Sequence, residues 1–139
     1  MQTSTDRPLN VGILGIEVYF PPNYVAQEDL ETFDKVGAGK YTIGLGQLNL
    51  AVATDREDVA SISLTSLKNL MEKNNIHPSQ IGRLEVGTET LIDKAKSLKT
   101  VLMSFFRESG NHDVEGVTSI NACYGSTNAI FNTLNWIDS

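Results

Sequence analysis

Cys123 is the one cysteine in the chain, and its surroundings, NACYGSTNAIF, put it between a strand pattern and a helix pattern. A thiol at such a junction lies near backbone N–H groups and the positive end of a helix dipole, both of which stabilise thiolate. A thiolate there can attack a thioester, while neighbouring N–H groups hold the oxyanion that forms. Gly125 and Ser126 keep the turn small enough for a substrate to approach the backbone. The competing reading is a buried structural cysteine, because free Cys is among the most buried residue types. Glu89 is the second candidate, in VGTETLIDK just past the strand pattern Arg83 to Gly87. Ligand sites in open α/β sheets collect at the carboxyl ends of strands. If the two strands are parallel, Glu89 and Cys123 share one rim. A desolvated carboxylate facing the nucleophile can then take a proton from a bound carbon acid. The competing reading for Glu89 is a solvated loop acid, or a helix-start residue paired with Lys94 or Lys96.

Other chemistry-bearing patterns fail on inspection. Gly37-Ala38-Gly39-Lys40 resembles a phosphate loop, but that motif needs Gly at position 34 and Ser or Thr at 41, where this chain has Asp34 and Tyr41. Gly44-Leu45-Gly46 lacks the third glycine of a dinucleotide fingerprint, with Asn49 in its place. His77 and His112 sit in polar connections and read as solvated. With one Cys and two separated His there is no metal-ligand cluster in the sequence.

The elements that must position Cys123 and Glu89 follow from periodicity. Val11 to Phe20 reads as a strand stopped by Pro21-Pro22, and Gln27 to Lys35 as a short helix with acids in its first turn. Val36 to Asn49 is Gly-rich and ambiguous. A long helix is expected from Arg56 to Lys73, N-capped by Asp55, with Val59, Ile62, Leu67, Leu70 and Met71 on one face. Arg83 to Gly87 is a short strand. Ser97 to Arg107 is the strongest helix, with Leu98, Val101, Leu102, Phe105 and Phe106 at helical spacing, ended by Gly110-Asn111. Val117 to Asn121 is the next strand, and a final helix runs from Gly125 toward Ile137 with Ala129, Ile130, Leu134 and Ile137 on one side. Strand and helix alternating at this spacing predict βαβ crossovers and parallel strands covered by helices.

Composition narrows the function classes. At 139 residues the chain fits one domain or a piece of a larger one, and 40% hydrophobic with 20% charged residues is globular rather than disordered. The net charge of −6, with no basic cluster, argues against a broad nucleic-acid surface. A lone cysteine excludes an internal disulfide, and no apolar run approaches the about 20 residues that span a bilayer. Met1 to Pro8 has neither the apolar core of a signal peptide nor an Arg-rich amphipathic run, so a cytoplasmic location is expected. The last helix, with Ile130, Phe131, Leu134, Trp136 and Ile137, is apolar over much of its surface just before Ser139, which suggests a chain cut short.

Four segments carry a specific resemblance: GKYTIGLGQ (Gly39 to Gln47), DRED (Asp55 to Asp58), IGRLEVGTETLIDK (Ile81 to Lys94) and NACYG (Asn121 to Gly125). In order and spacing they resemble the N-terminal part of eukaryotic 3-hydroxy-3-methylglutaryl-CoA synthase, from about Val11 to the end. The resemblance implies an α/β, thiolase-like layered fold, incomplete here: residues 1–10 form a tail and residues 11–139 an N-terminal condensing-enzyme domain truncated at its C-terminal end. It implies condensation of acetyl-CoA with acetoacetyl-CoA, early in isoprenoid and sterol synthesis, with ping-pong kinetics. Cys123 takes the place of the family's nucleophile, Glu89 that of its general acid/base, and Ala38 and Lys40 fall in its acyl-CoA site. No metal or redox cofactor is implied, since acetyl-CoA and acetoacetyl-CoA are substrates. The complete enzyme is implied to be a homodimer, with no nucleic-acid or membrane partner. Two departures stand out. Ser126 replaces a second Gly, for which a small effect is expected. The family's catalytic His and second half lie beyond the end of this sequence, and neither His77 nor His112 sits in the matching motif, so the chain alone is expected to be nearly inactive. The alternative is a non-catalytic short form that pairs with the full-length enzyme. A different thiolase-fold condensing enzyme, such as an acyl-chain synthase, is disfavoured by VGTETLIDK.

Overall fold

The computed structural model describes residues 9–139. Its elements in chain order are β1 (Asn23–Ala26), α1 (Gln27–Phe33), β2 (Asn49–Val52), α2 (Val59–Lys73), β3 (Val86–Gly87), α3 (Leu98–Leu102), β4 (Thr118–Ser119) and α4 (Gly125–Ile137), with 3₁₀ turns at Pro78–Gln80 and Met103–Phe106. β1 and β2 form an antiparallel pair, Asn23 opposite Val52 and Ala26 opposite Asn49. β3 and β4 are parallel, Val86 opposite Thr118 and Gly87 opposite Ser119. Backbone bonds extend that ladder at both ends, from Glu115 N–H on the Gly82 carbonyl (2.9 Å) to Thr88 N–H on the Ser119 carbonyl (3.2 Å).

The crossover that joins β3 to β4 carries the core. Leu98, Leu102 and Phe106 are buried at spacings of four, one stripe of a helical surface, and Val114 and Met71 of α2 are buried as well. Ser97 caps this helix by accepting the Thr100 N–H. The helix expected over Ser97 to Arg107 is divided: α3 tightens after Leu102 into a 3₁₀ turn, which closes the run with Phe106 fully buried.

Two expectations are corrected. The long helix starts at Val59, and its N-cap is Asp58 rather than Asp55. Asp58 and Ser61 close a reciprocal capping box, Ser61 N–H to Asp58 at 2.7 Å and Asp58 N–H to Ser61 at 2.9 Å, which satisfies two donors that Asp55 cannot reach. The second correction is Val11 to Phe20, which forms no strand ladder among the described residues. It runs extended along α2 by its polar residues instead: Glu17 pairs with Lys73 at 2.7 Å, and the Tyr19 hydroxyl donates to Glu57. Its apolar residues Ile13, Leu14, Ile16, Val18 and Phe20 remain exposed. An alternating pattern specifies which face a strand would bury, but a ladder also needs a partner edge.

Candidate active site

Gly87 is what lets the start of α4 pack onto the end of β3. It ends β3 directly against the start of α4, and a Cβ there would lie 2.3 Å from the Ser126 nitrogen. With no side chain in the way, α4 packs onto β3 backbone to backbone. Asn128 on α4 donates to Ser119 of β4 at 3.1 Å, and Asn132 donates to Glu85 beside β3 at 3.2 Å, so the helix is pinned to both strands. Glu89 leaves the carboxyl end of β3 two residues after Gly87, and Cys123 leaves the carboxyl end of β4 just before α4. The parallel ladder therefore sends both segments to one rim, as the sequence pattern required.

Cys123 is exposed, which removes the reading of a buried structural thiol. It follows Ala122, whose φ of 38° lies in the left-handed region. That conformation costs a non-glycine residue about 1–3 kcal/mol and recurs where a side chain must be aimed. Tyr124, the N-cap of α4, makes no side-chain capping bond, and the first turn of α4 carries no acid. Glu89 is also exposed and pairs with neither Lys94 nor Lys96. A cavity of about 260 Å³ lies behind it, walled by the start of α2, Thr90 to Asp93 and Leu98. Neither Glu89 nor Cys123 lines that cavity.

Ala38 and Lys40 lie elsewhere, in the turn after α1, both exposed. The polypeptide from 37 to 47 folds as successive tight turns, including Lys40 N–H to the Gly37 carbonyl at 3.1 Å. Its organiser is Glu31, whose carboxylate accepts bonds from Gly39, Tyr41 and Thr42. Sequence offers no signal for it beyond the Gly-rich stretch that follows. His77 is exposed and serves as a cap, its Nδ1 accepting the Ser79 N–H; His112 is exposed. Among the described residues no group of three or more His, Cys, Asp or Glu could hold a metal, and no helix is long and apolar enough to cross a membrane.

The fold is that of the thiolase-like condensing enzymes. It matches MvaS in complex with 3-hydroxy-3-methylglutaryl coenzyme A at a TM-score of 0.84 and 33% identity, over 91% of this chain and 30% of that one. It also matches 3-oxoacyl-[acyl-carrier-protein] synthase III from Aquifex aeolicus VF5, at 0.74 and 20% identity over 89% and 39%. The second likeness, at that identity, speaks for the fold alone. The family model described as hydroxymethylglutaryl-coenzyme A synthase N terminal matches residues 7–139, and the chain belongs to that family. It is 61% identical over 133 residues to hydroxymethylglutaryl-CoA synthase A of Dictyostelium discoideum, and 59% identical over 132 residues to the Homo sapiens hydroxymethylglutaryl-CoA synthase named cytoplasmic. These alignments cover 96% and 95% of this chain but 28% and 25% of those relatives, so the chain spans little more than a quarter of their length.

Proposed function

We propose that this chain supplies the nucleophile and the general base of a hydroxymethylglutaryl-CoA synthase, working in the cytoplasm as part of a larger, homodimeric whole. The observation that carries the reading is the parallel β3–β4 ladder, with exposed Glu89 and exposed Cys123 leaving its one carboxyl end. The Cys123 thiolate attacks the carbonyl carbon of acetyl-CoA; the C–S bond to CoA breaks and CoA leaves as a thiol. N–H groups at the start of α4 hold the oxyanion meanwhile. Glu89 takes a proton from the methyl group of the acetyl-Cys. The resulting carbanion adds to the ketone carbon of acetoacetyl-CoA, whose oxygen is protonated to the alcohol. Water then cleaves the Cys thioester, releasing 3-hydroxy-3-methylglutaryl-CoA and the free thiol. Every step is acyl transfer, proton transfer or carbon addition, so the sequence calls for no metal or redox cofactor. Ala38 and Lys40 contact the CoA portion of the substrates. The 139 residues by themselves are expected to turn over little, because groups that act as a unit lose most of the rate when one is missing.

The test uses a chimera in which this sequence replaces the 133 matching residues of the Dictyostelium relative. Radiolabelled acetyl-CoA should label Cys123, and Cys123→Ala should abolish both label and turnover. Glu89→Ala should keep the label and slow condensation by about 10²–10⁴-fold. Label on another residue, or normal condensation without Glu89, sinks the reading. A second reading, a non-catalytic chain that pairs with a longer homologue, has one observation behind it: the uncovered apolar residues Ile13 to Phe20. Co-purification with the homologue, together with no label on Cys123, would select it.

A further inference from the structure

Glu31 on α1 reads in sequence as one more acid of a solvated helix, yet it is 5% exposed. Its carboxylate makes no salt bridge among the described residues. Oε2 accepts the Gly39 N–H at 2.8 Å; Oε1 accepts the N–H groups of Tyr41 and Thr42 at 2.7 and 2.8 Å and the Thr42 hydroxyl at 3.1 Å. A buried carboxylate is tolerable only when hydrogen-bonded, and bonds to the ionised form are the strong ones. These bonds, the Thr42 backbone bond first and the Gly39 bond next, hold its pKa down to about 2.

All four donors come from one four-residue stretch, so the carboxylate acts as the template around which it wraps. The Ile43 and Gly44 N–H groups close on the Gly39 carbonyl at 3.0 and 2.9 Å. The closure needs glycine at 44, where a Cβ would lie 2.4 Å from the Lys40 carbonyl oxygen. Two features mark the ligand side of the turn. Gly39, Tyr41 and Thr42 bond to Glu31, while Lys40 between them and Ala38 just before them are exposed. Glu31 bonds backbone donors and the Thr42 hydroxyl and makes no salt bridge with Lys40. Lys40 makes no ion pair among the described residues, and its ammonium lies 5.9 Å from the centroid of the Tyr41 ring. Tyr41 is itself fixed by donating to Asp34 at 2.8 Å.

We propose that Glu31 is a positioning residue of the acyl-CoA site, holding the 37–44 turn so that Ala38 and Lys40 meet the anionic ligand in one prepared arrangement. The proposal rests on the reading above that Ala38 and Lys40 contact CoA. A preorganised turn loses less conformational freedom on binding, so the effect belongs in substrate affinity and not in the chemistry at Cys123.

Kinetics of the chimera test it. Glu31→Gln should raise KM for acetyl-CoA about tenfold with kcat within about twofold, the split expected when binding alone is weakened. Glu31→Asp keeps the charge on a shorter arm and should fall between; if Glu31→Gln gives no soluble protein, Glu31→Asp carries the same test. Lys40→Ala tests the underlying reading, and Glu31→Gln should add little on that background, because residues acting through one another are not additive. A raised KM in Lys40→Ala with KM unchanged in both Glu31 variants overturns the role of Glu31. So does a fall in kcat at unchanged KM. An unchanged KM in Lys40→Ala overturns the CoA contact itself, and the Glu31 proposal with it.

Discussion

The crossover from β3 to β4 and the segment from Val11 to Val52 are built from similar residues and end very differently. In the first, the strands are hydrogen-bonded to each other and Leu98, Leu102, Phe106 and Val114 are buried. In the second, Ile16, Val18, Phe20, Leu50 and Val52 all remain exposed, and order comes from the antiparallel β1–β2 ladder and from polar contacts: Glu17 with Lys73, Tyr19 with Glu57, Glu31 with its turn. The crossover closes on partners within some thirty residues of sequence, roughly the size of one βαβ unit. The extended stretch from Val11 to Phe20 finds among the described residues a helix to lie against but no strand edge. The lesson is that apolar patterning decides which face is to be buried, while topology decides whether anything arrives to bury it.

The contrast can be broken by stability measurements on this chain. Phe106→Ala should lower the free energy of unfolding by about 3–5 kcal/mol, the cost of emptying a fully packed aromatic site. Ile16→Ala should change it by less than about 0.5 kcal/mol, because a side chain that is 77% exposed has few contacts to lose. Urea titration of the two variants would show the difference as separated midpoints. Equal shifts would mean that the Val11 to Phe20 segment is as well packed as the crossover, and the comparison would fall.

The same division governs what could be read in the sequence. The stripe at Leu98, Leu102 and Phe106 and the parallel arrangement of β3 and β4 were legible, because each depends on local periodicity and a short crossover. The start of α2 was misplaced by three residues because Asp55 and Asp58 are both capping types, and only the reciprocal bond to Ser61 distinguishes them. The left-handed backbone at Ala122 gave no sign, since alanine does not favour it. Glu31 was illegible for a different reason. Its partners are backbone N–H groups eight to eleven residues on, and such donors leave no trace in residue type.

Acid should sharpen the contrast from the other side, by loosening the polar region before the apolar one. The folded pKa of Glu31 is about 2, below its ordinary 4.5. A lowered folded value means that its ionised form stabilises the fold in full above about pH 4.5 and that this contribution is lost as pH falls through about 2. The amide resonances of Gly39, Tyr41 and Thr42 should therefore hold their positions down through pH 4.5 and move together only as pH approaches 2. Glu31→Gln should remove that late transition. Movement of the three amides in the ordinary carboxylate range would show that the carboxylate is not their acceptor.

The smallest effect is expected at Ser126, beside the nucleophile. Its hydroxyl turns back toward the Gly87 carbonyl, at 3.5 Å, the outer limit of a hydrogen bond. That contact places the hydroxyl over the end of β3. Removing it in Ser126→Gly takes away a weak contact and adds backbone freedom in the first turn of α4, where glycine is a poorer helix former. The two changes are small, and the chimera's turnover should move by less than about threefold, under 1 kcal/mol of barrier. A gain of tenfold or more would show that the serine crowds the approach to Cys123. The tight packing of α4 on Gly87 would then restrict the site as well as position it.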